Sequence, residues 1–129
     1  MLPSQNRMRS SADFSSTVRS GARSGRRNLV LYAVAAPRRP SAFGFIVSKA
    51  VGNAVTRNLV KRRLREIAAL SLKEHPEGLA VVVRALPAAA TADFADLGSD
   101  YRKAFSAAVA RIRPARPVAA SGTEKGPDE

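Results

Sequence analysis

The chain has 129 residues, one domain's worth of sequence and enough to bury a sizeable core. It carries 22 Lys and Arg against 10 Asp and Glu, a formal net charge of +12. The absence of cysteine excludes a disulfide scaffold, a thiolate zinc site and a Cys nucleophile. A single histidine, His75, leaves no material for a multi-His metal centre or a serine–histidine hydrolase.

No apolar run approaches the roughly 18 residues a membrane span needs, so no membrane partner is expected. The N-terminus lacks the apolar core of a secretory signal, which makes the cytoplasm the expected compartment. The charge is lopsided. Residues 1–75 hold 15 Lys and Arg and 3 Asp and Glu, whereas residues 76–129 hold 7 of each. A basic excess confined to one stretch points to a polyanionic partner, since a merely solubilising surface intersperses both signs.

Residues 1–10 are polar, contain Arg7 and Arg9, and read as a flexible basic lead-in. A short helix follows over Ser11–Ser20, with Ser11 as cap, Asp13 in the first turn and Gly21 closing it. Phe14 and Val18 are i,i+4 neighbours on it. The Gly- and Arg-rich residues 21–28 read as a loop or a short edge strand. Leu29–Ala36 alternates as a strand, with Val30, Tyr32 and Val34 on one face and Leu29, Leu31 and Ala33 on the other. Pro37-Arg38-Arg39-Pro40 then reads as a basic connecting loop. The next strand, Phe43–Ser48, is expected to pair antiparallel with its predecessor, because so short a link suits a hairpin.

The longest helix runs from Ala54 to about Glu74, with Asn53 as N-cap and His75-Pro76 and Gly78 as stop signals. Leu79–Leu86 contains three consecutive valines and reads as a strand covered on both faces. The last helix is placed from Ser99, where Tyr101, Ala104, Phe105, Ala108, Val109 and Ile112 form a full apolar stripe, to Pro114. Residues 87–98 add at most a helical turn around Phe94. Residues 1–113 thus form one domain, and the aperiodic Pro/Ala/Gly/Ser tail 114–129 reads as disordered. The elements make an α+β sandwich with helices packed on one small sheet.

The stretch Lys49–Glu66 carries the functional information. At about 100° per residue, Arg57, Lys61 and Arg65 fall within roughly 80° of one another, with Asn58 and Arg62 beside them. Val60, Leu64 and Ile67 fall on a separate apolar face. Like charges at i,i+4 destabilise a helix by a few tenths of a kcal/mol per pair, and only Glu66 compensates locally. An external polyanion relieves that repulsion, and arginine can hold a phosphate bidentately while stacking on a base. Asn58 offers both donors and an acceptor, which suits a base edge, a ribose or a hydrated metal. Arg63 does not fit the split and is expected to snorkel from the edge of the apolar face. The competing reading is a solvated surface helix.

The run Lys49-x-x-Gly52-Asn53-Ala54-Val55-x-Arg57-Asn58-x-x-Lys61-Arg62-x-x-Arg65-Glu66 resembles the arginine-asparagine-arginine signature of the bacterial ribonuclease P protein family. Arg7-Met8-Arg9, Asp13-Phe14, Leu31-Tyr32, Gly44–Lys49 and the valine-rich strand at 80–84 sit in matching order, so the resemblance covers roughly residues 5–112. It implies a two-layer α/β sandwich of order α-β-β-β-α-β-α, with a left-handed βαβ crossover at the arginine-rich helix. It also implies an accessory subunit of an endoribonuclease whose active site is RNA. The expected partners are the catalytic RNA and precursor tRNA, whose 5′ leader is removed, with no obligate protein partner.

By the same resemblance, Arg57, Asn58, Lys61, Arg62 and Arg65 face RNA, with Lys49 and Asn53 extending that face, and no protein residue is catalytic. Phe14, Val30 and Tyr32 are carried onto a cleft that grips the single-stranded leader. For Phe14 a plain core role beneath the first helix is equally open. Two departures stand out: Val18 replaces a second aromatic common in the family, and the loop with Arg23, Arg26 and Arg27 matches only in being basic. No carboxylate pair at ligand spacing occurs in residues 1–75, so assisting Mg2+ is expected on RNA phosphates rather than on protein side chains. His75 at a helix end reads as a dipole partner rather than a base. The alternatives are a ribosomal or nucleoid-type binding protein and, against the missing acid/base machinery, a self-sufficient nuclease.

Overall fold

The computed structural model describes residues 2–112. In chain order they form α1 (Ser11–Ser20), β1 (Ala22–Gly25), β2 (Leu29–Pro40), β3 (Ala42–Ile46), α2 (Ala54–Glu74), β4 (Glu77–Ala85) and α3 (Phe94–Ile112). The order α-β-β-β-α-β-α matches expectation. The proposed tail, 114–129, lies outside the described residues.

The alternation in β2 sorts the core. Leu29, Leu31 and Ala33 are fully buried with Val81 and Val83 of β4, Val60 and Leu64 of α2, and Leu97, Tyr101 and Ala104 of α3. Val30, Tyr32 and Val82 face the other way, where Phe14 and Val18 of α1 pack on them. α2 and α3 therefore cover one face of the sheet and α1 part of the other.

Strand order is β1-β2-β4-β3. β1 and β4 pair antiparallel with β2, and β3 pairs parallel with β4, for example Phe43 with Val81. The expected β2–β3 hairpin does not form, because β4 lies between them. Three consecutive, fully buried valines need ladder partners on both edges as well as cover on both faces. The link also lacks the Asn-Gly or Gly-Gly turn of a tight hairpin. Ser41 makes the crossing instead: its N–H donates to the Pro76 carbonyl (3.0 Å) and its Oγ accepts from Leu79 N–H (3.2 Å). β2 runs on through the expected loop to Pro40, with a register shift between Ala36 and Pro40 and Arg38 at φ 67°. Gly78, the second residue of β4, lies at this register shift opposite Ala36 with φ 101°, a conformation that only glycine adopts readily.

Three further boundaries differ. Ser10, not Ser11, caps α1, its Oγ accepting from Ala12 and Asp13 N–H, because it is the residue in extended conformation. α3 begins at Phe94 rather than Ser99: Asp93 Oδ1 accepts from Asp96 N–H (2.8 Å), and buried Leu97 extends the apolar stripe one turn back from Tyr101. Asp100, placed by sequence in a first turn, instead accepts from the backbone N–H and Nδ2 of Asn28 (3.0 and 2.9 Å) and ties α3 to the start of β2. The N-terminal stretch is also no loose lead-in. Leu2 and Asn6 are buried, Asn6 Nδ2 donates to the Ser41 carbonyl (2.7 Å), and Met8 N–H donates to the Phe43 carbonyl (2.9 Å) along β3.

Candidate nucleic-acid interface

α2 starts where Asn53 Oδ1 accepts from Thr56 N–H (2.9 Å), and it presents its two faces as the periodicity requires. Val60, Leu64 and Ile67 are buried in the main core. On the other face Arg57, Lys61 and Arg65 are half-buried and Asn58 and Arg62 exposed. Among the described residues none of these four cations is held in an ion pair. Arg57 Nε donates to the Gly52 carbonyl (3.2 Å), which sets its stem against the turn before the helix. Arg63 is drawn off the row: its Nη1 donates to the Ala92 carbonyl ahead of α3 (3.2 Å), the edge position expected of it.

Lys49 is exposed in the turn that leads into α2, where Gly52 N–H donates to its carbonyl (3.2 Å). Asn53 is exposed too, but its oxygen is engaged as the helix cap, leaving its Nδ2 for an outside acceptor.

Lys61 and Arg65 open into a cleft of about 420 Å³. Its opposite wall is Arg7 and Arg9, and its floor is Phe14 lying against Gly44. Arg7 Nε donates to the Leu2 carbonyl (3.0 Å) and Arg9 Nη2 to Ser4 Oγ (2.7 Å), so both guanidinium groups are anchored by the N-terminal segment. Four cations around one half-buried aromatic ring combine the two kinds of group, positive charge and a stacking surface, that suit a single nucleic-acid strand. The two N-terminal arginines are the part sequence reasoning underused. Their alternation around Met8 was the available signal, but nothing local shows that residues 7 and 8 add to the edge of β3.

Of the three residues carried onto a leader-binding cleft, the structure brings only Phe14 to this one. Val30 and Tyr32 are 6% and 8% exposed, beneath α1 and the side chains around it, and lie behind the cleft rather than along it. Phe14 packs on the Val30–Tyr32–Val82 cluster and also lines the cleft.

A larger cavity of about 730 Å³ opens between the C-terminal halves of α2 and α3 and shares no residue with the cationic cleft. Its floor is Tyr101, 1% exposed, whose hydroxyl has no hydrogen bond of normal geometry although Ser71 is close by. Burial raises that phenol well above the usual tyrosine range, with Ser71 pulling weakly the other way. His75 lies at the end of α2 with its ring 5.4 Å from that of Phe105.

The chain is similar to known proteins in sequence and fold. Residues 2–109 match the family model described as Ribonuclease P. The ribonuclease P protein component of Pseudarthrobacter chlorophenolicus is 59% identical over 132 residues, covering 98% of this chain and 97% of its own. That of Kocuria rhizophila is 61% identical over 111 residues, covering 86% and 98%. Among solved structures, the RNase P protein of Staphylococcus aureus superposes with a TM-score of 0.72 at 26% identity, over 83% of this chain and 96% of that one. The RNase P protein from Thermotoga maritima shares the fold, with a TM-score of 0.65 at 21% identity over 86% and 98%. The α2 signature, the sheet order that carries it and these matches along nearly the whole chain agree, and the chain belongs to the ribonuclease P protein family.

Proposed function

We propose that this protein binds the catalytic RNA of ribonuclease P and the single-stranded 5′ leader of precursor tRNA, and so assists removal of the leader. The observation that carries this reading is the division of α2. Its buried stripe fixes the helix on the sheet, so that Arg57, Asn58, Lys61, Arg62 and Arg65 stand in a row open to a polyanion. Lys49 and the free Nδ2 of Asn53 extend that row at the helix start. The leader lies in the cleft between this row and Arg7 and Arg9, with a base against Phe14, while Val30 and Tyr32 support the ring from behind. Stacking on such a ring is worth about 1–3 kcal/mol per base and tolerates any base.

Cleavage itself belongs to the RNA. The side chains around the cleft are Arg7, Arg9, Lys61 and Arg65, a donor set that repels a divalent cation instead of coordinating it. Among the described residues there is also no group of three or more His, Cys, Asp or Glu that could hold a metal ion. Magnesium is therefore assigned to RNA phosphates, with the protein's cations reducing the charge that the metal must neutralise. The working compartment is the cytoplasm, and no described helix is long and apolar enough to cross a membrane.

Reconstitution with the organism's own catalytic RNA at low magnesium tests the reading. The protein alone should cleave nothing. With the RNA it should strengthen binding of precursor tRNA carrying a leader far more than binding of mature tRNA. Equal affinity for the two substrates overturns the leader-binding role, and failure to retain that RNA from a cell extract favours a general ribosomal or nucleoid-type binder.

A further inference from the structure

The basic loop left over by the family signature sits at the far edge of the sheet, and the fold adds a cation to it. Arg23 is exposed on β1, and its guanidinium lies over Gly25: a Cβ there would be 3.9 Å from both terminal nitrogens. Arg26 and Arg27 follow in the turn that Arg26 N–H closes on the Leu29 carbonyl (2.8 Å). Arg111, from the last turn of α3 and 88 residues away, donates its Nη1 to the carbonyl of Arg23. All four side chains are exposed. Of the acids nearby, Asp100 is engaged by Asn28, and Asp96 shares the cavity beside Arg27 with Lys103.

We propose that this corner, formed by Arg23, Arg26, Arg27 and Arg111, is a second RNA-binding surface that engages a different RNA segment from the one held by α2. The inference rests on the proposed RNA-binding function and adds a second point of attachment to it. Sheet order puts β1 and β3 on opposite edges, three strand spacings or roughly 14 Å apart. The cationic cleft is at the β3 edge, lined by Phe43, Gly44 and Phe45. Between the two edges the sheet face is closed, since Val30 and Tyr32 are nearly buried. A strand running from the cleft to Arg23 would cross a face that offers its bases no ring to stack on, so the far corner is assigned its own segment and the protein bridges the two.

A protein strand added to the β1 edge fits less well. Arg23 and Gly25 are the exposed residues of β1, so its open positions offer no apolar side chain around which alternate pockets could form. Charge on an edge strand can simply discourage unwanted pairing, but that purpose does not require Arg111 to be brought in from α3. Gathered guanidinium groups repel one another, and a phosphate backbone relieves the repulsion.

Because the chain has no cysteine, a single tethered hydroxyl-radical probe can be placed at will. Full-length Arg26→Cys and Asn58→Cys proteins, each carrying an iron chelate, would be assembled with the catalytic RNA and the RNA cleavage mapped. The inference expects two non-overlapping sets of cuts. It is overturned if the probe at residue 26 is silent while that at residue 58 cuts, or if both cut the same segment. Silence from both removes the proposed function and the inference with it. As a second measurement, Arg23→Gln combined with Arg27→Gln should lower the slope of log affinity against log salt by about 0.7 to 0.9 for each phosphate no longer neutralised. An unchanged slope in a protein that melts like the wild type rejects the surface.

Discussion

The ring of Phe14 occupies the space that any side chain at residue 44 would need. A Cβ built on Gly44 would stand 2.5 Å from Phe14 Cε1 and 2.6 Å from Cζ, with Met8 Cβ at 3.1 Å. Real Cβ atoms do not approach that closely, so the bare backbone of β3 is what lets α1 lie down on the sheet and lets an aromatic ring form the cleft floor. One glycine thereby links the packing of the first helix to the shape of the proposed leader site.

Gly44→Ala should therefore act on stability and binding together. The added methyl forces Phe14 off its place, at the ~1–3 kcal/mol typical of overpacking. Denaturant unfolding should show that loss, and affinity for precursor tRNA should fall more than affinity for mature tRNA. Adding Phe14→Ala removes the clash, so the double variant should be more stable than the sum of the two single losses implies. Strict additivity of the two would mean that the ring and residue 44 do not meet.

Asn53 tests whether a signature residue serves the RNA or the fold. Its Oδ1 caps α2 through Thr56 N–H, and Asn53→Ala should cost about 1 kcal/mol. Asn53→Ser keeps a neutral capping oxygen and removes only the amide nitrogen, so its stability should stay near wild type. RNA affinity that recovers along with stability in Asn53→Ser identifies a cap. Affinity that stays low in a fully stable Asn53→Ser protein assigns the remaining Nδ2 to RNA.

Local pattern was enough for much of this molecule. Asn53 as cap, the Val60–Leu64–Ile67 stripe against the cationic row, and the split of β2 into two faces all follow from periodicity and capping within one element. What local pattern does not contain is which strands become neighbours. The hairpin expectation failed because Ser41 and the entry to β4, far apart in the chain, meet at Ser41 N–H and Pro76. The same limit applies to the cleft: Arg7 and Arg9 join Lys61 and Arg65 only through the bridge of Arg7 to Phe43. The start of α3 failed for a different reason. Ser99-Asp100 looks like a cap, but Asp100 serves Asn28 on another element, and the true cap, Asp93, lies one apolar turn earlier.

Tyr101 gives the protein an alkaline liability. Burial favours its neutral phenol, so its folded-state pKa lies well above the unfolded value of 10.0. Above pH 10 the unfolded chain releases this proton while the folded chain keeps it. The unfolded state then binds fewer protons and stability falls with rising pH, by at most about 1.4 kcal/mol per pH unit for one group. Tyr101→Phe removes that contribution and loses no hydrogen bond of normal geometry. Its stability should equal or exceed that of the wild type near neutrality, and its loss between pH 10 and 11 should be shallower. Parallel curves for the two proteins would show that the phenol titrates normally.

Three arginines on one helix separate an RNA-facing role from a structural one. Arg57 and Arg65 stand in the cationic row, whereas Arg63 Nη1 is bonded to the Ala92 carbonyl on the side facing α3. Arg57→Ala and Arg65→Ala should each weaken assembly with the catalytic RNA or leader binding and reduce the salt slope by about one phosphate equivalent. For Arg65 the effect should concentrate in the leader, because it lines the cleft with Phe14. Arg63→Ala should instead leave the slope unchanged and lower unfolding stability by about 0.5–1.5 kcal/mol, the net worth of a typical hydrogen bond. An equal change of slope in all three would mean that the helix meets RNA as a diffuse charge, and that the sorting of its faces by the core does not direct the binding.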